Sequence, residues 1–93
     1  MAKILIVEDD KNLSDLVKIE LEHENFDTLL AYDGRECLNI LETQSVDLIL
    51  LDIMLPQING LEVLRKIRTK SSIPIILVTA RGETLDKVNG LNS

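Results

Sequence analysis

Ninety-three residues, 45% of them apolar, make one small domain with nothing in the composition to suggest disorder. A net charge of −6, with 16 acids against 10 bases, argues against a nucleic-acid surface, and one Phe, one Tyr and no Trp argue against base stacking. The single cysteine, Cys37, excludes an internal disulfide, and no apolar run suits a membrane span or a signal-peptide core, so a cytoplasmic chain is expected.

Apolar runs and helical patterns then alternate. Residues 4–7, Ile-Leu-Ile-Val, form a short continuous apolar run, the pattern of a strand covered on both faces. Leu13, Leu16, Val17 and Leu21 recur near helical spacing and predict an amphipathic helix over 11–24. Residues 28–31 make a second, weaker strand. Asp33, three residues before Glu36, has capping-box spacing and opens a helix to Thr43 with Cys37, Leu38 and Leu41 inward. Residues 48–51 are the third strand. Asn59 and Glu62 repeat the capping signal for a helix to about Thr69 that buries Leu61, Leu64 and Ile67. Pro74 leads into a fourth strand over 75–78, and 83–91 predicts a short helix. The pattern is four βα units, which implies a parallel sheet with helices on both faces, right-handed crossovers and functional groups beyond the carboxyl ends of the strands.

Two strands run straight into acid. Residues 4–7 lead into Glu8, Asp9 and Asp10, and 48–51 lead into Asp52. If those strands are neighbours, Asp9 and Asp52 converge, and two carboxylates ~4 Å apart repel by about 4 kcal/mol at an effective dielectric of about 20. A raised pKa or a bound cation relieves that repulsion. No His lies near and Cys37 belongs to a helix, so the donors suit a hard, oxygen-seeking cation such as Mg²⁺ better than zinc. A carboxylate can also act as a nucleophile and carry a phosphoryl group as an acyl phosphate, with the metal neutralising charge.

Residues 4–10, 47–56 with Gly60 following, and 74–80 look like the receiver domain of bacterial response regulators. The segments around Asp52 and over 81–91 resemble the OmpR/PhoB type, whose members usually carry a DNA-binding domain after the receiver. The resemblance implies an α/β, flavodoxin-like doubly wound sheet of order 2-1-3-4-5. It implies that Asp52 is the phosphoacceptor and that Mg²⁺ is held by Glu8, Asp9, Asp52 and the backbone carbonyl of Met54. Thr79 matches the switch hydroxyl and Ala80 the small residue beside it. Pro56 and Gly60 match loop positions that shape the site. The implied partner is a sensor histidine kinase, and the implied role is signalling rather than enzymatic.

The family pattern continues past the end of this chain with a fifth strand, a fifth helix and a lysine that would contact the phosphoryl group. One receiver domain over 1–93, incomplete at its C-terminus and ordered 2-1-3-4 without strand five, is therefore expected. Its fourth strand would then be an open edge that recruits another copy. An interaction module without phosphotransfer is the alternative reading. A hydrolase is disfavoured by the absence of a second base, a Gly-rich nucleotide loop and a capping insertion. Cys37 reads as an inert core thiol and His23 as a solvated surface residue. Asp10 reads as a helix-start residue, and the basic stretch Arg65, Lys66, Arg68 and Lys70 as a wet helix face.

Overall fold

Each apolar run becomes a strand, and the helical patterns between the runs carry the chain back to start the next strand in the same direction. A computed structural model describes residues 1–78; Thr79, Ala80 and the helix expected over 83–91 lie outside the described residues. The elements are β1 (Lys3–Val7), α1 (Lys11–His23), β2 (Asp27–Ala31), α2 (Gly34–Thr43), β3 (Leu48–Asp52), α3 (Gly60–Arg68) and β4 (Ile75–Val78). The strands lie in the order β2-β1-β3-β4, all parallel, which is the flavodoxin-like arrangement expected.

One side of the sheet holds the main core. Leu5, Val7, Ala31, Ile49 and Leu51 from the strands close on Cys37 of α2 and on Val63 and Ile67 of α3. The thiol of Cys37 is fully buried, and burial pushes it up to about 12, so it is inert at neutral pH. The other parity, with Ile4 and Ile6 buried, faces α1.

The helices start where the capping residues stand. Asp10, Asp33 and Asn59 accept hydrogen bonds from the backbone N–H groups of Leu13 (3.2 Å), Glu36 (2.8 Å) and Glu62 (3.0 Å). Such caps are each worth about 1 kcal/mol. A bond back from the third helical residue forms at α2, though to the residue before the cap: Glu36 Oε1 accepts from the Tyr32 N–H at 2.7 Å. At α3 it does not, because Glu62 pairs with Arg65 at 3.2 Å.

Two inward assignments need correction. Leu16 is 58% exposed, since α1 buries Ser14 and turns Leu13, Val17 and Leu21 partly inward, which leaves Leu16 about 100° round from Val17. Leu61 is 40% exposed, and Val63 is fully buried in its stead. The cause is Gly60, which occupies the inward position at the start of α3 and rotates Leu61 outward. The buried stripe is Gly60, Val63 and Ile67, with Leu64 half-buried beside it.

Candidate functional site

The parallel register brings the acids together. Val7 is the Cα partner of Leu51, so the chain leaving β1 carries Glu8 level with Asp52, the last residue of β3. Asp52 is in turn the Cα partner of Val78, the last residue of β4. Carboxylate oxygens of Glu8, Asp9 and Asp52 all lie within 4.8 Å of one another. Glu8 and Asp52 are buried and Asp9 is exposed, so the cluster is a pocket with one wet lip. Asp10, read as a helix-start residue, is outside the cluster, and its side chain caps α1.

Backbone groups hold the two buried acids in place. Glu8 Oε2 accepts from the Asp10 N–H at 2.9 Å, and Asp52 Oδ1 accepts from the Met54 N–H at 3.0 Å. The second oxygen of Asp52 is buried and has no hydrogen-bond partner. An ionised oxygen in that state is costly, which suits an arriving cation or electrophile. Two full charges 4.8 Å apart repel by about 3.5 kcal/mol at an effective dielectric of about 20. Burial pushes the Glu8 carboxyl up from 4.5 to about 7; the Asp10 N–H opposes the shift, and Asp52 and Asp9 add to it.

The loop after β3 closes the pocket floor through Gly60. A Cβ there would lie 2.3 Å from the Asp52 carbonyl oxygen and 2.7 Å from the Ile53 Cα. The Gly60 N–H also donates to the Ile53 carbonyl at 2.9 Å. The start of α3 is thus pressed against the strand end that carries Asp52, and only glycine fits. Leu55 is buried and anchors the loop, while Pro56 is exposed and Gln57 adopts the left-handed conformation at φ 64°. That conformation costs on the order of 1 kcal/mol for a residue with a Cβ.

Of the residues singled out from sequence, Glu8, Asp9 and Asp52 converge, and Met54 and Gly60 border them. Thr79 and Ala80 lie outside the described residues. Lys11, in the first turn of α1, stands over the Tyr32 ring at 5.2 Å and was not anticipated. No spacing rule joins two residues so far apart in sequence. Gly60 was expected to shape the site, but its contact with the Asp52 carbonyl was not, because a cap signal at Asn59 marks a helix start and not what that start packs against.

A family model of the response regulator receiver domain matches residues 4–93. The chain belongs to this family. It is 53% identical over 92 residues to the response regulator ArlR of Staphylococcus saprophyticus and 51% identical to ArlR of Staphylococcus aureus, in each case over 99% of this chain. It spans 42% of the length of those curated relatives. Among solved structures, the response regulator TrrA from Thermotoga maritima, in complex with Mg²⁺-BeF, superposes with a TM-score of 0.85 at 36% identity, covering 100% of this chain and 82% of that one. A complex of the histidine kinase ThkA with TrrA contains a chain that superposes with a TM-score of 0.81 at 42% identity, covering 86% of this chain and 70% of that one. Receiver domains are signalling domains, and the acid cluster of this one could hold a divalent cation. No helix among the described residues is long and apolar enough to cross a membrane.

The raised Glu8 carboxyl sets a pH dependence. Between pH 4.5 and about 7 the folded chain keeps a proton that the unfolded chain releases. Without metal, stability therefore falls as pH rises through that window, by on the order of 2 kcal/mol. Urea melts in EDTA should show this slope in the wild type and a flatter one in Glu8→Gln. Parallel curves for the two proteins would show that Glu8 carries no such strain.

Proposed function

We propose that this chain is the phosphoacceptor receiver of a two-component signalling system, with Asp52 as the residue that takes the phosphoryl group. The observation that carries the reading is that Asp52 holds a buried oxygen without a hydrogen-bond partner and that its carboxylate lies within 4.8 Å of two others. Glu8, Asp9 and Asp52, with the backbone carbonyl of Met54, are the proposed ligands of Mg²⁺. When bound, the ion neutralises the charge of the acids and of the incoming phosphoryl oxygens. The donor set fits it, since it is all oxygen and anionic.

The residues divide the work. An Asp52 oxygen attacks phosphorus in line, the bond from phosphorus to the donor nitrogen of a kinase phosphohistidine breaks, and an acyl phosphate remains on Asp52. The Met54 N–H, donated at 3.0 Å, fixes the carboxylate plane for that attack. The Gly60 contact keeps the strand end from moving. Thr79 is proposed as the hydroxyl that then turns toward the phosphoryl group.

The kinase partner is proposed on the strength of the ThkA–TrrA complex. The same reading extends to a cytoplasmic, transcription-regulating protein with a DNA-binding output domain, by likeness to the longer ArlR relatives. An acid pocket that assembles around Asp52 favours phosphotransfer over a silent interaction module.

Self-association through β4 is proposed as well. β4 ends the sheet among the described residues, and Ile76 on it is 49% exposed. Sedimentation velocity across a hundred-fold concentration range should show a rising mass; a constant monomer mass removes this part of the reading.

Intact mass after incubation with acetyl phosphate and Mg²⁺ tests the central role. One phosphoryl group should be gained by the wild type and none by Asp52→Asn. A gain that survives in Asp52→Asn would place the acceptor elsewhere.

A further inference from the structure

The basic stretch at the end of α3 has a role that the acid site does not use. Its four cations fall into two pairs. Arg65 is engaged by Glu62 at 3.2 Å. Arg68 Nη1 donates to the carbonyls of Ser71 and Ile73, at 3.3 and 2.6 Å. Lys66 and Lys70 make no ion pair among the described residues. Lys66 stands in the last turn of α3 and Lys70 just beyond its end, and both line a groove of about 760 Å³ between the ends of α2 and α3.

We propose that this groove binds a small amphiphilic carboxylate, with its aliphatic body on the floor and its head on Lys66 and Lys70. The floor is formed by Leu38, Leu41, Val46, Ile67 and Ile73, all aliphatic and none aromatic. That surface takes a flexible hydrocarbon chain and offers a flat ring no stacking partner. The two walls differ in charge. Glu42 lines the α2 side, and the two lysines line the α3 side, so an anionic head is repelled from one wall and drawn to the other. Lysine ammonium groups are compact point charges, which suits a single carboxylate.

The groove is also preformed. Lys70 and Ser71 donate their N–H groups to the Ile67 carbonyl at 3.0 and 2.9 Å, and the Ile73 N–H donates to Ser71 Oγ at 3.1 Å. With the two bonds from Arg68, these fix the turn that forms the far rim. A rigid site loses less freedom on binding than a mobile one. It lies at the N-terminal end of the strands, since Val46 precedes β3 and Ile73 precedes β4, and so at the opposite end of the sheet from Asp52.

The test is an amide-shift titration of the whole chain by NMR, with decanoate held below its micelle concentration and decanol as the neutral control. Saturable shifts should centre on Leu38, Leu41, Val46, Ile67 and Ile73, with decanoate at least ten-fold tighter than decanol. The Lys66→Gln/Lys70→Gln double variant should bring the two ligands to equal affinity, and Glu42→Gln should tighten decanoate several-fold. All three positions are exposed, so the fold should survive these changes. Equal affinities in the wild type would overturn the proposal. So would shifts centred on exposed apolar residues elsewhere, such as Leu16, Ile19 and Ile76.

Discussion

Three carboxylates held within 4.8 Å of one another are the constraint on which the site depends. The arrangement is costly: burial, with the charges of Asp52 and Asp9 adding to it, raises the Glu8 carboxyl to about 7. What enforces it is the parallel pairing of β1 with β3 in a register that sets Val7 beside Leu51. That pairing is in turn secured by the most deeply buried residues of the chain, among them Leu5, Val7, Ile49 and Leu51. The core thus holds like charges together at the carboxyl ends of the strands, an arrangement that suits a cation.

The positions around the acids hold the strained geometry in place. The Asp10 N–H ties Glu8, the Met54 N–H ties Asp52, and the start of α3 lies against the Asp52 carbonyl at a glycine. Gly34 does a related service at the start of α2, where a Cβ would lie 2.6 Å from Val63 Cγ2. The first contact sets the start of α3 against the end of β3, and the second sets the start of α2 against α3. The opposite ends of α2 and α3 stay apart and leave the groove that Lys66 and Lys70 overlook. One fold thus offers an acidic end and a basic, apolar end, and no residue serves both.

Much of this was legible in the sequence, for definite reasons. Continuous apolar runs bounded by acids mark strands buried on both faces, so β1 and β3 were found, with Asp52 extending the third strand by one residue. Asp33 and Asn59 announce their helices because a short acceptor side chain satisfies free N–H groups. The helix faces were less legible. Leu16 and Leu61 look inward by residue type, yet Ser14 and Gly60 take the inward positions, because close approach of a helix to the sheet selects small side chains rather than large ones. The groove was not legible at all. Its lining comes from the ends of α2 and α3 and the turns that follow, and only tertiary packing sets the two basic residues beside an aliphatic floor.

If the acid cluster is held together against its own repulsion for the sake of a cation, removing one charge should affect stability in opposite directions with and without metal. Urea unfolding of the wild type and Asp52→Asn, each in EDTA and in saturating Mg²⁺, measures this directly. Without metal, Asp52→Asn should be the more stable protein, because the repulsion around a buried charge is gone. Mg²⁺ at about a hundred times its dissociation constant should stabilise the wild type by about 2.7 kcal/mol and Asp52→Asn by much less. An Asp52→Asn protein that is less stable without metal, and gains as much from Mg²⁺ as the wild type, would contradict the claim that these three acids form a strained cation site.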